Sequence, residues 1–149
     1  MAIRIETSKR TGIENFPSAE MSREERLLAR KLIKAHSTAV PRTPLSCSYN
    51  CHGLTFGSRR AWIVKRSCVN TIISDDEYKE IPLANAFPGD VLIYYNNGDL
   101  SHSGVVVERQ ALGILRIVSK WGKAGEFVHS MFDCPAIYGR DVKAFRCLR

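Results

Sequence analysis

The pattern of hydrophobic and polar positions predicts helices in the first half of the chain and strands in the second. Ser22 and Glu25 have the Ser-x-x-Glu spacing of a capping box, which predicts a helix that begins there and ends near His36. The apolar face of this helix consists of Leu28, Leu32 and Ile33. Residues 1–20 lack strong periodicity and are predicted to form an extended arm, followed by a single domain over residues 21–149.

A second helix is predicted to begin at Cys51, because Pro41 and Pro44 interrupt the chain shortly before it. Its buried face is predicted to consist of Leu54, Ala61, Trp62 and Ile63. Gly53 and Gly57 lower the helix propensity of this segment, but they also permit close packing against a sheet.

Turn signals and apolar runs after Pro88 predict a set of strands. Pro88-Gly89-Asp90 marks a turn, and Asn96-Asn97-Gly98-Asp99 has the composition of a hairpin turn. The predicted strands cover residues 91–95, 102–108, 115–121 and 142–147. The polar stretch 74–80 ahead of them predicts a loop or a short helix. Helices followed by an antiparallel meander predict an α+β fold, with N-terminal helices packed on a small antiparallel sheet.

The chain of 149 residues has a net charge of +7, which is concentrated in its first half. Residues 1–66 carry thirteen Lys and Arg against five Glu, a balance of +8, whereas residues 67–149 carry nine basic and ten acidic residues. A basic segment is typical of contact with an anionic polymer or a membrane surface, although a solvated basic helix has the same composition. The chain has no zinc finger, RNA-recognition signature or interleaved aromatic and basic residues, which disfavours nucleic acid as a partner.

Five cysteines, an odd number, argue against a disulfide framework and favour free thiols in a reducing compartment. One histidine and three cysteines lie close together in sequence: Cys47, Cys51, His52 and Cys68. Their spacing lacks the two close pairs of a four-ligand zinc site, so we expect no metal and no other cofactor. The N-terminus has no apolar signal segment, and no apolar run approaches the ~20 residues that cross a bilayer. We therefore expect a cytoplasmic chain without a membrane span, which would reach a cell wall only by a route that needs no signal.

Cys51 at a helix start and His102 at a strand start are the two groups that a thiolate nucleophile needs. Backbone N–H groups at the helix start stabilise a thiolate, and the imidazole takes its proton and later protonates the leaving group. The N–H groups near Cys51 are also candidates for an oxyanion hole. A third residue should hold the imidazole in its plane; Ser119 on the next predicted strand is the preferred candidate, and His129 is the alternative.

Two aromatic residues, Tyr49 and Trp121, flank these groups in sequence and are candidates for lining a substrate cleft, although both also fit as core aromatics. We interpret His52 as a bystander, because it would point to another side of the helix from Cys51. The remaining cysteines fit as small buried hydrophobic residues: Cys68, Cys134 and Cys147. Residues 119–122 and 135–139 also stand out, without a role that the sequence explains.

Three motifs occur in order and span roughly residues 45–122. They are Asn50-Cys51-His52-Gly53-Leu54, then Pro88-Gly89-Asp90 leading into a strand, then His102-Ser103-Gly104 opening the next strand. Their order and spacing resemble those of the NlpC/P60 superfamily of cysteine peptidases and amidases, which includes the CHAP domains.

The resemblance implies a papain-like core, in which a helix carrying Cys51 as nucleophile packs on a small antiparallel sheet carrying His102 as base. It also implies a third polar residue near positions 119–121. There this chain has Ser, Lys and Trp instead of the family's usual His, Asn, Gln or Glu.

The resemblance further implies hydrolysis of an amide bond, commonly in peptidoglycan stem peptides. We therefore expect a bacterial or phage-type thiol hydrolase that acts on a γ-D-glutamyl or related cell-wall amide, with a peptide or peptidoglycan fragment as substrate. One alternative is an intracellular isopeptide or thioester hydrolase, or an acyltransferase, on the same fold. Another is a non-enzymatic basic binding module in which Cys51 is structural.

Overall fold

A seven-stranded antiparallel sheet organises residues 3–149, the part of the chain that the computed structural model describes. In chain order the strands are β1 Val40–Pro41, β2 Tyr78–Ile81, β3 Val91–Asn96, β4 Asp99–Arg109, β5 Leu115–Lys120, β6 Glu126–Ser130 and β7 Asp141–Cys147. Their spatial order is β1-β6-β5-β4-β3-β7-β2. With the helices described below, this arrangement confirms the predicted α+β class.

The β3–β4 hairpin forms where its turn sequence predicts it. Asn97 and Gly98 have φ angles of 51° and 82°, the left-handed conformations that a two-residue hairpin turn requires. The hairpin places Tyr94 opposite His102 and Ile93 opposite Ser103. A register shift follows at Tyr94, so the strand ends near the turn are irregular.

Helix α1, Arg23–Ala35, begins with the predicted capping box. The Ser22 hydroxyl accepts from the Glu25 N–H, and the Glu25 carboxylate accepts from the Ser22 N–H. On its apolar face, Leu32 and Ile33 pack against the core, but Leu28 is 63% exposed. The three residues lie on one apolar face, as the pattern predicts, but only part of this face is covered by the core.

Helix α2, Cys51–Phe56, is shorter than predicted and ends at Gly57. Ala61, Trp62 and Ile63 lie beyond it, so they are not part of a helical face. The role predicted for Gly53 is also wrong. A Cβ atom at Gly53 would lie 1.9 Å from the Ala61 carbonyl oxygen, so this glycine admits the returning chain rather than the sheet.

The segment between α2 and β3 contains structure that the sequence pattern did not predict. Helix α3 spans Arg66–Asp75, and β2 begins at Tyr78, so residues 74–80 comprise the end of a helix, a two-residue turn and the start of a strand rather than a single loop or short helix. The polar strand β2 lies at the sheet edge, where only β7 pairs with it. Strands β1 and β6, which pair with each other, were also not predicted.

The two faces of the sheet are covered by different helices. On one face α2 and α3 pack over β3, β4 and β5, with Leu54, Val118 and Val69 in the clusters that they form. On the other face α1 packs over Tyr94 and Phe127. The central strands β3, β4 and β5 therefore place alternate side chains in the clusters on the two faces.

Residues 3–20, the described part of the predicted arm, contain isolated bridges rather than a helix or a strand ladder. These bridges join Glu6 to Gly12 and Phe16 to Trp62. Met1 and Ala2, which belong to the same prediction, lie outside the described residues. Within residues 3–149, no helix combines the length and the apolar character that crossing a membrane demands.

Candidate active site

Cys51 is the first residue of α2, and the side chain of Asn50 caps this helix. The Asn50 carboxamide oxygen accepts from the N–H groups of Gly53, at 2.9 Å, and Ile63, at 3.0 Å. Its Nδ2 donates to the Ile63 carbonyl at 2.7 Å. Because these bonds join both ends of the turn, they hold the position of the Cys51 backbone.

The resting Cys51 thiol is protonated at neutral pH. Although part of the residue is accessible to solvent, desolvation by the surrounding protein raises the pKa of the thiol to about 11. Hydrogen bonds from backbone N–H groups, chiefly that of Ser103, lower the pKa of the thiol, but this effect is smaller than that of desolvation. The helix start alone therefore does not produce a thiolate here.

His102 is fully buried between two tyrosines. The Tyr138 ring stacks on the imidazole with 3.6 Å between centroids and 2° between planes, and Tyr94 meets it edge-on at 5.2 Å. Neither ring nitrogen has a hydrogen-bond partner among residues 3–149. Burial lowers the pKa of His102 well below its usual range, and the nearby His52 and His129 rings lower it further. The imidazole is therefore neutral.

The His102 side chain and helix α2 lie on opposite faces of strand β4. Ser103 faces α2, since its hydroxyl donates to Thr55 Oγ1 at 2.9 Å and accepts from His52 Nδ1 at 2.7 Å. His102, one residue earlier, points to the other face. In the described part of the chain, no hydrogen bond joins the Cys51 sulfur to the His102 ring. The catalytic pairing of Cys51 with His102 therefore stays a prediction.

His52, which the sequence indicates is a bystander to the chemistry, makes a structural contact. It is buried, and its contact with Ser103 ties the first turn of α2 to β4. Thr55 extends the same chain of bonds by donating to the Cys51 carbonyl at 2.9 Å. Burial lowers the pKa of His52 to about 4, so this ring is a neutral packing group.

Ser119 and His129, the candidates for the third role, bond to each other. His129 Nδ1 donates to the Ser130 carbonyl at 2.7 Å, which leaves Nε2 to accept from the Ser119 hydroxyl at 2.6 Å. Trp121 Nε1 donates to the Ser119 oxygen at 3.1 Å. The structure gives neither Ser119 nor His129 a hydrogen bond to His102, so the orienting role predicted for Ser119 lacks a supporting contact.

The two candidate cleft residues lie in the protein interior. Tyr49 is buried, and its hydroxyl donates to the Glu126 carboxylate. Trp121 is buried against Phe127, with 4.1 Å between ring centroids. In this structure both residues occupy core positions.

Lys120, which belongs to the residues 119–122 whose role the sequence does not explain, is fully buried beside the loop that leads into α2. Its Nζ donates to the Ser46 carbonyl at 2.6 Å and to the Gly122 carbonyl, and it lies 5.2 Å from the Tyr49 ring centre. Burial lowers its pKa to about 8. Its positive charge lowers the pKa of Cys51, so it partly offsets desolvation of the thiol. The available signal for this role was a lysine at the end of a predicted strand.

Over residues 3–149, no group of three or more His, Cys, Asp and Glu side chains is arranged to hold a metal ion. Comparison of the chain with protein-family models, with curated proteins and with solved structures gave no match. The resemblance to the NlpC/P60 superfamily therefore depends on the three sequence motifs alone.

Proposed function

We propose that the protein is a thiol hydrolase that cleaves an amide bond, with Cys51 as nucleophile and His102 as general base and acid. The observation that carries the proposal is the buried His102 ring with two unpaired nitrogens. Leaving a buried polar atom unpaired costs about 1–3 kcal/mol, so such groups need an explanation. A proton-transfer role that begins when substrate enters supplies one.

The proposed reaction starts from a neutral thiol and a neutral imidazole rather than from a preformed ion pair. Substrate binding brings Cys51 and the His102 ring together, and the ring takes the thiol proton as sulfur attacks the carbonyl carbon. The Cys51 N–H stabilises the oxyanion. The imidazolium then protonates the leaving amine as the C–N bond breaks. Water hydrolyses the resulting thioester, which releases the acid and restores the thiol.

The proposed substrate is a peptide of the peptidoglycan stem, held on a papain-like core as in the family that the motifs resemble. Exposed basic side chains on α1 support contact with an anionic polymer of the cell wall. They are Arg23, Arg26, Arg30, Lys31 and Lys34. Such contact would concentrate the enzyme at its substrate.

The test is cleavage of purified muropeptides by Cys51→Ala and His102→Ala, with Cys147→Ser as a matched control. Cys147 is an exposed thiol outside the proposed site, so its replacement should leave cleavage unchanged. We expect no cleavage above background with either site variant. Circular dichroism confirms that each variant is folded, and cleavage by a folded Cys51→Ala or His102→Ala protein rules the mechanism out.

The raised pKa of Cys51 favours a second candidate, a basic binding module in which this cysteine is structural. Alkylation of Cys51 separates the two. In an enzyme, a muropeptide should change the alkylation rate of the wild type but not that of His102→Ala. In a binding module, Cys51 should be alkylated at the rate of an unactivated thiol in both proteins. An intracellular isopeptide or thioester substrate remains the alternative for the same residues, and substrate profiling distinguishes it.

A further inference from the structure

The Tyr138 strap, residues 135–139, covers one face of the His102 ring. It contains a 3-10 turn, Ala136–Tyr138, between Pro135 and Gly139. The parallel stack of Tyr138 on His102 is the closest ring contact of either residue, at 3.6 Å between centroids. We infer that Tyr138 is the positioning residue of His102, and that its ring face holds the imidazole plane in place of a hydrogen-bond acceptor.

The strap is anchored to the hairpin that carries His102. The Tyr138 carbonyl accepts from the Ser101 hydroxyl, and the Ile137 carbonyl accepts from Asn96 Nδ2 at 2.9 Å. Gly139 has a φ of 92°, and a Cβ atom there would lie 2.0 Å from the Tyr95 carbonyl oxygen. Only glycine permits this approach, so the backbone sets the height of the Tyr138 ring above the sheet.

No other polar group takes the orienting role among the described residues. Ser119 and His129 satisfy each other, and Tyr94 meets the imidazole only by its edge. A stacked ring differs chemically from a carboxylate or amide acceptor, because it fixes the imidazole plane and leaves both nitrogens free at the ring edge. It also stabilises the imidazolium that forms once His102 takes a proton.

The catalytic part of this inference rests on the proposed function, whereas the positioning part does not. It predicts that Tyr138→Phe keeps the His102 geometry and Tyr138→Leu loses it. Ile137→Ala is the matched control, because Ile137 belongs to the same turn and its side chain is 74% exposed.

The first readout is the NMR spectrum of the folded proteins. In the wild type, Tyr138→Phe and Ile137→Ala, the ring protons of His102 should be shifted upfield by the stacked ring, and in Tyr138→Leu this shift should disappear. An unshifted His102 in the wild type, or an unchanged shift in Tyr138→Leu, overturns the positioning role whether or not the protein is a hydrolase.

The second readout is steady-state cleavage of muropeptides. Tyr138→Leu should lower kcat about tenfold or more with little change in KM, and Tyr138→Phe should stay within about twofold of the wild type. Loss of cleavage in Tyr138→Phe would assign the role to the hydroxyl and overturn the inference. Equal losses in Ile137→Ala and Tyr138→Leu would reduce Tyr138 to a structural residue. If wild-type protein cleaves nothing while the NMR result holds, the proposed function fails and the positioning role stands.

Discussion

Replacing Gly53 by alanine sets two opposite effects against each other in α2. Alanine is better than glycine in a helix by about 1 kcal/mol, which favours the variant. Against this, the added Cβ would lie 1.9 Å from the Ala61 carbonyl oxygen and 3.1 Å from the Tyr49 Cβ. Ordinary contact begins at 3.4 Å, so the backbone must separate by about 1.5 Å, the difference between 3.4 and 1.9.

Overpacking of this kind costs about 3 kcal/mol at the upper end of the usual range, because backbone rather than a flexible side chain must move. The net prediction for Gly53→Ala is a loss of about 2 kcal/mol in the free energy of unfolding. Gly53 lies two positions after Cys51 in α2, so a shift of its backbone should also make alkylation of the Cys51 thiol faster.

Urea denaturation followed by circular dichroism measures the change in unfolding free energy. Gly12→Ala is the matched control, since nothing lies within 4 Å of a Cβ atom there, and its stability should change by less than about 0.5 kcal/mol. If Gly53→Ala is as stable as the wild type or more so, helix propensity prevails and the close approach of α2 to residue 61 is refuted.

Two further predictions concern charge. Lys120→Met should raise the pKa of the Cys51 thiol, because the ammonium lowers it in the wild type; the pH dependence of Cys51 alkylation measures this, and Lys120→Arg should retain the wild-type value. Burial lowers the pKa values of His52 and His129 to about 4, below those of the unfolded chain, so the unfolded state takes up protons first. Stability is therefore complete above a pH of about 6.5 and decreases toward pH 4, by up to about 3 kcal/mol for each ring. Urea unfolding across this pH range measures the change in stability, and a free energy of unfolding that does not vary with pH contradicts the prediction.

Elements with local signals were predictable from the sequence. The capping box at Ser22 and the Asn97-Gly98 turn each depend on residues a few positions apart, and α1 and the β3–β4 hairpin form where these residues occur. Strand β5 contains the apolar run from Leu115 that predicts it. In these segments the local preference agrees with the tertiary packing.

Elements that depend on distant partners were not predictable in the same way. Strand β6 begins with Glu126, a buried carboxylate whose Oε2 lies 2.6 Å from Arg59 Nε. Nothing near residue 126 in sequence indicates that a cation 67 positions away will neutralise it. Strand β2 is similar, since its polar sequence is held at the sheet edge by pairing with β7.

The candidate site shows the same limit at the scale of one residue. The sequence identifies a cysteine at a helix start and a histidine on a strand, but a strand presents neighbouring residues to opposite faces. Whether His102 or Ser103 meets α2 is decided by which face the helix packs on, and that depends on Leu54, Val105 and Val118 together. In this structure Ser103 makes the contact, and His102 is left on the other face under Tyr138. A hydrolase on this scaffold must therefore bring Cys51 to an imidazole that Tyr138 already holds in plane. Because both ring nitrogens are unpaired, no hydrogen bond of the imidazole has to break when it takes the thiol proton.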